Sequence, residues 1–417
     1  MKQIVLFLLS LLICFCDTLS AQYRTQIFAE NVKTLQVVFP DDPLALPVMD
    51  LGSENHLYIS FDELSFDLKN YYYRIVHCNA DWTPSDLQEA DFMEGFTNGQ
   101  ITDYALSSTT TTPYTHYSFS VPNDDLTLKI SGNYVALIAE DNNFDNLVAT
   151  ACFSIVEPLI SVEAKVRGNT DIELNGRYQQ LEMSIDKGGY NVRDPLSEIK
   201  VLIRQNERLD TQVADVKPTF ISGNTLTFLN NRALIFEGGN QYRSIDFSSE
   251  YTYGAGIERI IYQNGAFQVI LSEDRERTGR GVAQGQDANG KFIINRQNSD
   301  NNDTEADYMW VHFAFQRSEP FLAGSVYLLG DLCYNLLDES SKMRYNFETH
   351  CYEKSLLLKQ GGYNFQYAYL PAKTSKGLLE FTEGSYWQTE NEYAIYVYYR
   401  PWGGRYDRLI TVKVVQN

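Results

Sequence analysis

Nucleophilic or soft-metal chemistry would have to come from very few residues, because the chain holds only 5 His and 6 Cys. His77-Cys78 and His350-Cys351 are adjacent pairs in strand-like runs. Neighbouring strand residues face opposite ways, so neither pair can serve as base and nucleophile. No Gly-x-Ser-x-Gly elbow occurs, and neither does a C-x-x-C pair or a Cys/His quartet spaced for zinc. The 54 Asp and Glu supply many carboxylate pairs, yet glycoside cleavage needs a barrel or deep groove to hold such a pair. Asp141-Asn142-Asn143-Phe144-Asp145 and Asp300-Asn301-Asn302-Asp303 gather oxygens that could meet calcium. Both lack the glycine and closing glutamate of an EF-hand, and read as solvated turns. Gly254-Ala255-Gly256 and Gly279-Arg280-Gly281 lack the strand–loop–helix setting of a phosphate cradle. No catalytic residue, cofactor site or metal site is expected.

Two aromatic-polar clusters are more promising as contact surfaces. One is His77-Cys78-Asn79-Ala80-Asp81-Trp82, where a strand runs into a polar loop. The other is Tyr114-Thr115-His116-Tyr117. Both place amphipathic side chains near strand ends, where a sandwich meets partners. His77, Asn79, Asp81, Trp82, Tyr114 and His116 are therefore candidate interface residues, the alternative being a core Trp82 and a capped turn.

The elements that must position these residues are strands. With 29 Tyr, 23 Phe and 4 Trp the composition favours sheets. Short alternating runs such as Leu35–Phe39, Tyr71–His77, Tyr134–Ala139, Gln180–Ile185, Tyr308–Gln316 and Ala394–Tyr399 are separated by Gly, Asn, Asp and Pro turns. The fold expected is all-β: tandem immunoglobulin-like and early-set β-sandwich domains over 22–157, 158–305 and 306–417. The third resembles a glycogen-binding-type early-set module in Val326–Asp331 and Leu356–Tyr363. Asp287–Asp307 is polar and reads as a solvated loop or boundary. Asn264-Gly265 marks a hairpin.

Met1-Lys2-Gln3, an apolar run from Ile4 to Cys16, and Asp17–Ala21 form a secretory signal peptide, with cleavage expected after Ala21. Ile13 and Phe15 occupy the positions where a lipobox before Cys14 or Cys16 wants a small residue. No later segment approaches the apolar length of a membrane-spanning helix. Of the four cysteines that remain, Cys333 and Cys351 flank a loop between two strand runs and are the expected disulfide, while Cys78 and Cys152 are left open. Lys and Arg number 34 against 54 acids, a formal charge of −20, which argues against nucleic-acid binding.

Tyr72-Tyr73-Arg74-Ile75-Val76-His77-Cys78-Asn79-Ala80-Asp81-Trp82, followed by Pro84-Ser85, resembles the hallmark of the type IX secretion system plug protein family. Gly95-Phe96, Ile101–Tyr104, Tyr114–Tyr117 and Ser131–Tyr134 extend the likeness. So do Glu383–Tyr393, Tyr399-Arg400-Pro401 and Arg405–Leu409 at the C-terminus. The resemblance implies a non-enzymatic periplasmic plug at the inner face of the outer membrane. Such a plug closes the periplasmic opening of the large outer-membrane β-barrel translocon (SprA type), as a monomer bound to it. Trp387, Glu390 and Asn391 join the candidate interface on this reading. The rival is a periplasmic glycan-binding sandwich, motivated by the early-set pattern and the aromatic surplus.

Overall fold

Strand after strand alternates apolar and polar side chains, and each apolar face closes on that of a second sheet. The structure, a computed structural model, describes residues 22–417 except 253 and 255. The expected signal peptide, with Cys14 and Cys16, lies outside the described residues. Among the described residues no helix is long and apolar enough to cross a membrane. The α-helices there are single turns of 4 residues. The fold is all-β, in sandwiches.

The first sandwich faces one sheet, ordered Gln26–Ile27, Leu147–Val156, Gly132–Glu140, Tyr71–Cys78, Asn98–Ile101, against another, ordered Val32–Val38, Leu57–Glu63, Thr115–Val121, Asp103–Leu106. Tyr71, Tyr73 and Ile75 point inward from one sheet and meet Leu57, Ile59, Phe61, Tyr117 and Phe119 from the other. Tyr73 stacks on Phe119 at 4.5 Å between ring centroids, the offset geometry that aromatic pairs prefer.

The remaining strands do not divide at 305/306 as expected. Ile199–Gln205 pairs with Glu392–Tyr399, matching Ile199 to Tyr399 and Gln205 to Tyr393. With Arg408–Gln416 these strands form one sheet, which packs on Ser161–Arg167, Tyr178–Asp186 and Thr225–Thr227. The chain's last two strands thus complete the second sandwich. Between its halves sits the third, in which Arg243–Asp246, Gly324–Leu329 and Phe292–Ile294 flank Gly361–Pro371. Its opposing sheet runs Ile257–Gln263, Ala266–Leu271, Tyr308–Gln316, Cys351–Lys359, Arg344–Asn346. Ala266–Leu271 lies parallel to Tyr308–Gln316, across the expected boundary. Alternation marks a strand but does not name its partner, so a boundary read from local pattern had no means of finding an insertion.

The polar stretch at 287–307, read as a solvated loop or boundary, is largely loop but carries a strand and is no domain boundary. Phe292–Ile294 pairs with Gly361–Tyr363, and Asp287 and Asp307 accept part-buried backbone hydrogen bonds. Asn264 and Gly265, at φ 55° and 83°, make the tight turn of a hairpin. The Cys333–Cys351 disulfide is absent, and Cys78, Cys152, Cys333 and Cys351 are all free thiols. Cys333 sits in a 3-10 turn with its thiol directed at the carbonyl oxygens of Leu328 and Gly330, whereas Cys351 opens a strand of the opposing sheet.

A chain ending at residue 305 strands Ile199–Gln205 without Glu392–Tyr399 and Ala266–Leu271 without Tyr308–Gln316. It is expected to partition into the insoluble fraction and show no cooperative melt. A soluble, cooperatively melting 22–305 fragment would contradict this division.

Candidate functional site

The strand Tyr71–Cys78 turns at Asn79 into a tight loop, in which Trp82 takes the left-handed conformation (φ 65°) and its N–H returns to the Asn79 carbonyl at 2.9 Å. This loop meets the C-terminal strand pair at Asp407, a carboxylate with 0% exposure. Asp407 Oδ2 accepts from the Ala80 N–H and from Lys200 Nζ, both at 3.0 Å. Its Oδ1 lies 2.9 Å from Arg400 Nε, and the Arg400 guanidinium also donates to Asn79 Oδ1. Asn133 Nδ2 donates to the Asn79 carbonyl at 3.0 Å, and Asn133 Oδ1 accepts from Tyr398 Oη at 3.0 Å. Arg408 pairs with Glu157 at 2.7 Å. Buried charges persist only where partners replace water, and Asp407 draws its partners from the first and second sandwiches together.

His77 lies beneath this joint, edge-on to Tyr134 and Tyr406 with centroids at 4.9 and 5.3 Å. Its Nε2 faces the Ser131 carbonyl and so carries the proton, leaving Nδ1 to accept from Ser85 Oγ at 2.8 Å. Burial lowers its pKa to about 4, against a smaller opposing effect of the Ser131 hydrogen bond. Gly132 makes this closeness possible: at φ 143°, a Cβ there would stand 2.3 Å from His77 Nε2.

A second joint ties the first sandwich to the third. Asp62, 1% exposed, accepts from His116 Nδ1 at 2.7 Å, Tyr308 Oη at 2.6 Å and Lys359 Nζ at 2.7 Å. Burial pushes its carboxyl up, but the Lys359 charge and the His116 hydrogen bond outweigh burial and hold it below the ordinary value. Tyr114 Oη donates to the Ala306 carbonyl at 2.8 Å, and Lys359 Nζ sits 4.3 Å over the Tyr114 ring. Asp307 accepts from the Thr111 and Thr112 N–H groups at 2.7 and 3.0 Å.

A third set lies where the chain passes between the second sandwich and the insertion, and Arg208, 2% exposed, crosses that joint by donating to the Gly377 carbonyl at 2.9 Å. Asn391 donates to Gln179 Oε1 and the Gly238 carbonyl at 2.9 and 2.7 Å, and accepts from Asn206 at 2.7 Å. Buried Glu383 receives Arg243 through Nε and a terminal nitrogen at 3.0 and 2.9 Å, the bidentate geometry in which arginine binds carboxylate most strongly. Trp387 packs its indole on Gly168, where a Cβ would come within 2.4 Å.

The candidate interface residues therefore fall mostly inside the molecule. His77, Tyr114, His116 and Asn391 are buried in joints, and Asn79, Trp82 and Trp387 are half-buried. Asp81 and Glu390 are exposed, and Asp81 closes its own turn through Thr83. The sequence reading missed Asp62, Lys359 and Asp407. Asp62 and Lys359 stand on the outer faces of their strands, opposite Phe61 and Leu358, where alternation reads as a solvated charge, so the sequence carried no signal for them. A cavity of about 210 Å³, lined by Trp82, Arg204, Lys291, Asp331 and Asn335, lies where the three sandwiches meet. Burial raises the Asp331 carboxyl there to about 7. No group of three or more His, Cys, Asp or Glu among the described residues is placed to hold a metal.

A multidomain β-sandwich body closed by buried polar joints is the class these features define. Residues 32–157 match the family model described as type 9 secretion system plug protein 1st domain. A crystal structure of a hypothetical protein from Parabacteroides merdae is 43% identical, over 95% of this chain and 100% of that one, with a TM-score of 0.93. A DNA glycosylase from Pseudomonas fluorescens, 11% identical over 30% of each chain with a TM-score of 0.16, carries no argument. No curated protein matches. The chain belongs to the type IX secretion system plug protein family, a family of structural secretion components.

Lys359→Met leaves Asp62 buried without its cation and is expected to cost about 3–5 kcal/mol, read as a lowered denaturation midpoint. Between pH 6.5 and about 4, unfolded His77 takes up a proton that the folded form resists. Stability then falls with acidification, by roughly 3 kcal/mol at about 1.4 kcal/mol per unit. Below that window Asp62, ionised in the fold, adds its own loss as the pH falls through its lowered pKa. Melts of wild type and His77→Phe between pH 7 and 4.5 check this, and equal slopes would remove His77 from the account.

Proposed function

We propose that this protein is a periplasmic plug at the inner face of the outer membrane. It closes the periplasmic opening of the large β-barrel translocon of the type IX secretion system and performs no catalysis. Membership of the plug family supports the system. The observation that carries the mechanical part is the closure of all three interdomain contacts by buried charged or polar groups. A gate must resist deformation, and sandwiches joined only by linkers would move relative to one another by default. Here Asp407, Asp62 and Arg208 each bridge separate sandwiches, Arg208 through the Gly377 carbonyl of the third, so bending at any joint strips a buried group of a partner. The protein acts as a monomer held against the barrel.

A second reading, a glycan-binding sandwich, draws on a run of ring contacts along one edge of the third domain. Phe347, Tyr345, Tyr352, Phe321, Tyr369 and Phe381 follow one another at 5.0, 5.0, 6.3, 4.2 and 5.7 Å between centroids. Only Phe347 and Phe381 are open to solvent, at 73% and 42%, a narrow platform for a sugar face.

The deciding measurement is conductance of the isolated translocon barrel in a planar bilayer, with the full-length protein added on the periplasmic side. A fall in open-barrel current is expected, with no retention on a panel of envelope polysaccharides. Unchanged current together with polysaccharide binding would transfer the assignment to the glycan reading.

A further inference from the structure

A strand at the end of a sheet carries a row of backbone N–H and C=O groups that only another extended backbone matches. Folded chains blunt such rows with charges, bulges or covering segments. Among the described residues, four strands of 7 to 9 residues end a sheet. Val32–Val38 is covered by the third sandwich, whose Tyr334 hydroxyl accepts the Leu35 N–H at 3.0 Å. Ser161–Arg167 carries Glu163, Lys165 and Arg167 at alternate positions. Arg408–Gln416 carries Lys413, and its Leu409 and Ile410 carbonyls are taken by the Glu157 and Leu159 N–H groups at 2.9 Å. The fourth, Ile257–Gln263, is only half blunted.

Its first half holds Glu258, Arg259 and a bulge in the pairing between Ile257 and Arg259. Beyond the bulge, Ile260-Ile261-Tyr262-Gln263 has neither charge nor proline. The hairpin fixes which backbone groups of that run are free. Its two-residue turn, Asn264-Gly265, makes Gln263 and Ala266 a hydrogen-bonded pair, and Ile261 with Gln268 is the next. The N–H and C=O of Ile260 and Tyr262 therefore point away from the sheet. Among the described residues none bonds to them. The side chains of the run are open on both faces as well. On the inner face Ile260 is half-buried against the core, and Tyr262, 59% exposed, meets Phe267 edge-on at 5.2 Å. On the outer face Ile261 is 37% exposed, in line with Gln268 and Trp310. The sheet stops one strand short of covering these side chains.

We infer that Ile260–Gln263 is the edge to which an extended segment of the translocon adds as one further strand, an inference that rests on the plug reading. The backbone row selects an extended chain over a helix, a sugar or a lipid, none of which presents donors and acceptors at strand spacing. The side chains select its sequence. Residues of the added strand that face inward lie beside Ile260 and Tyr262, those that face outward lie beside Ile261, and both sets are apolar. The bulge and the charges of Glu258 and Arg259 end the addition on one side, and the Asn264-Gly265 turn ends it on the other. The strands of a closed barrel are bonded on both sides, so the segment is a periplasmic extension of the barrel and not part of its wall.

The test is hydrogen exchange on the full-length protein, alone and with the isolated translocon barrel, read by mass spectrometry over 257–263, with capture of the barrel quantified beside it. Ile261→Lys adds a charge to the bare run, and Tyr262→Pro removes an outward N–H while leaving the hairpin ladder bonded. Tyr262→Thr removes the same ring and keeps the N–H. Melting curves accompany each variant, and the wild-type exchange decides alone where a melt falls. Expected are slower exchange at Ile260 and Tyr262 with the barrel, and unchanged melts. Capture is expected to drop about tenfold for Ile261→Lys, and about fivefold further for Tyr262→Pro than for Tyr262→Thr. Capture that leaves exchange over 257–263 unchanged, or that Ile261→Lys does not diminish, overturns the edge and leaves the plug reading intact. Wild type that captures no barrel overturns that reading, and this partner with it. Exchange that slows without barrel as protein concentration rises, with a dimer in sedimentation, overturns the translocon as occupant in favour of a second copy.

Discussion

A buried carboxylate that takes its partners from another domain is the interaction on which this structure depends. Asp407 and Asp62 are both withdrawn from water, and desolvating a charge costs several kcal/mol that only well-placed cations and hydrogen bonds offset. Those partners come from different sandwiches: Ala80, Lys200 and Arg400 around Asp407, and His116, Tyr308 and Lys359 around Asp62. Separating the domains would take the Ala80 N–H from Asp407, and the Tyr308 hydroxyl and Lys359 cation from Asp62, so domain contact and full carboxylate satisfaction are coupled. Apolar burial stabilises each sandwich but does not fix how two sandwiches meet. Directional bonds to a buried acid do.

The same constraint explains the placement of the second and third domains. Because the third sandwich is inserted between Ile235–Glu237 and Glu392–Tyr399, two chain crossings connect it to its host. The buried Arg243–Glu383 pair and the Asn391 network lie at those crossings. A body tied twice covalently and again by polar bonds transmits load as a unit, which suits the plug proposed above.

The sequence blocks that resemble the plug family are, physically, the two halves of the Asp407 joint. Tyr72–Ser85 supplies Asn79, Ala80 and the His77 layer, while Tyr399–Leu409 supplies Arg400, Tyr406 and Asp407. Reading them as outward contact surfaces followed from seeing aromatic and polar side chains at strand ends without seeing what stood opposite. His77, Tyr114, His116 and Asn391 have the chemistry of an interface because they do form one, between parts of the same chain.

What the sequence by itself determined was local: strands from alternation and aromatic content, the Asn264-Gly265 hairpin from its turn chemistry, the all-β class, and the family from the two blocks. These are legible because backbone propensity and side-chain period act over a few residues. Only the tertiary structure decided which strands pair, that the chain's last strands complete the second sandwich, that Cys333 and Cys351 stay apart, and that Asp62 and Asp407 are buried anchors. The domain-closing pairings and the two anchors depend on groups hundreds of residues apart in sequence, as Ala80 is from Asp407 or Asp62 from Lys359. A lone charge in a strand looks the same whether water or a buried lysine will satisfy it.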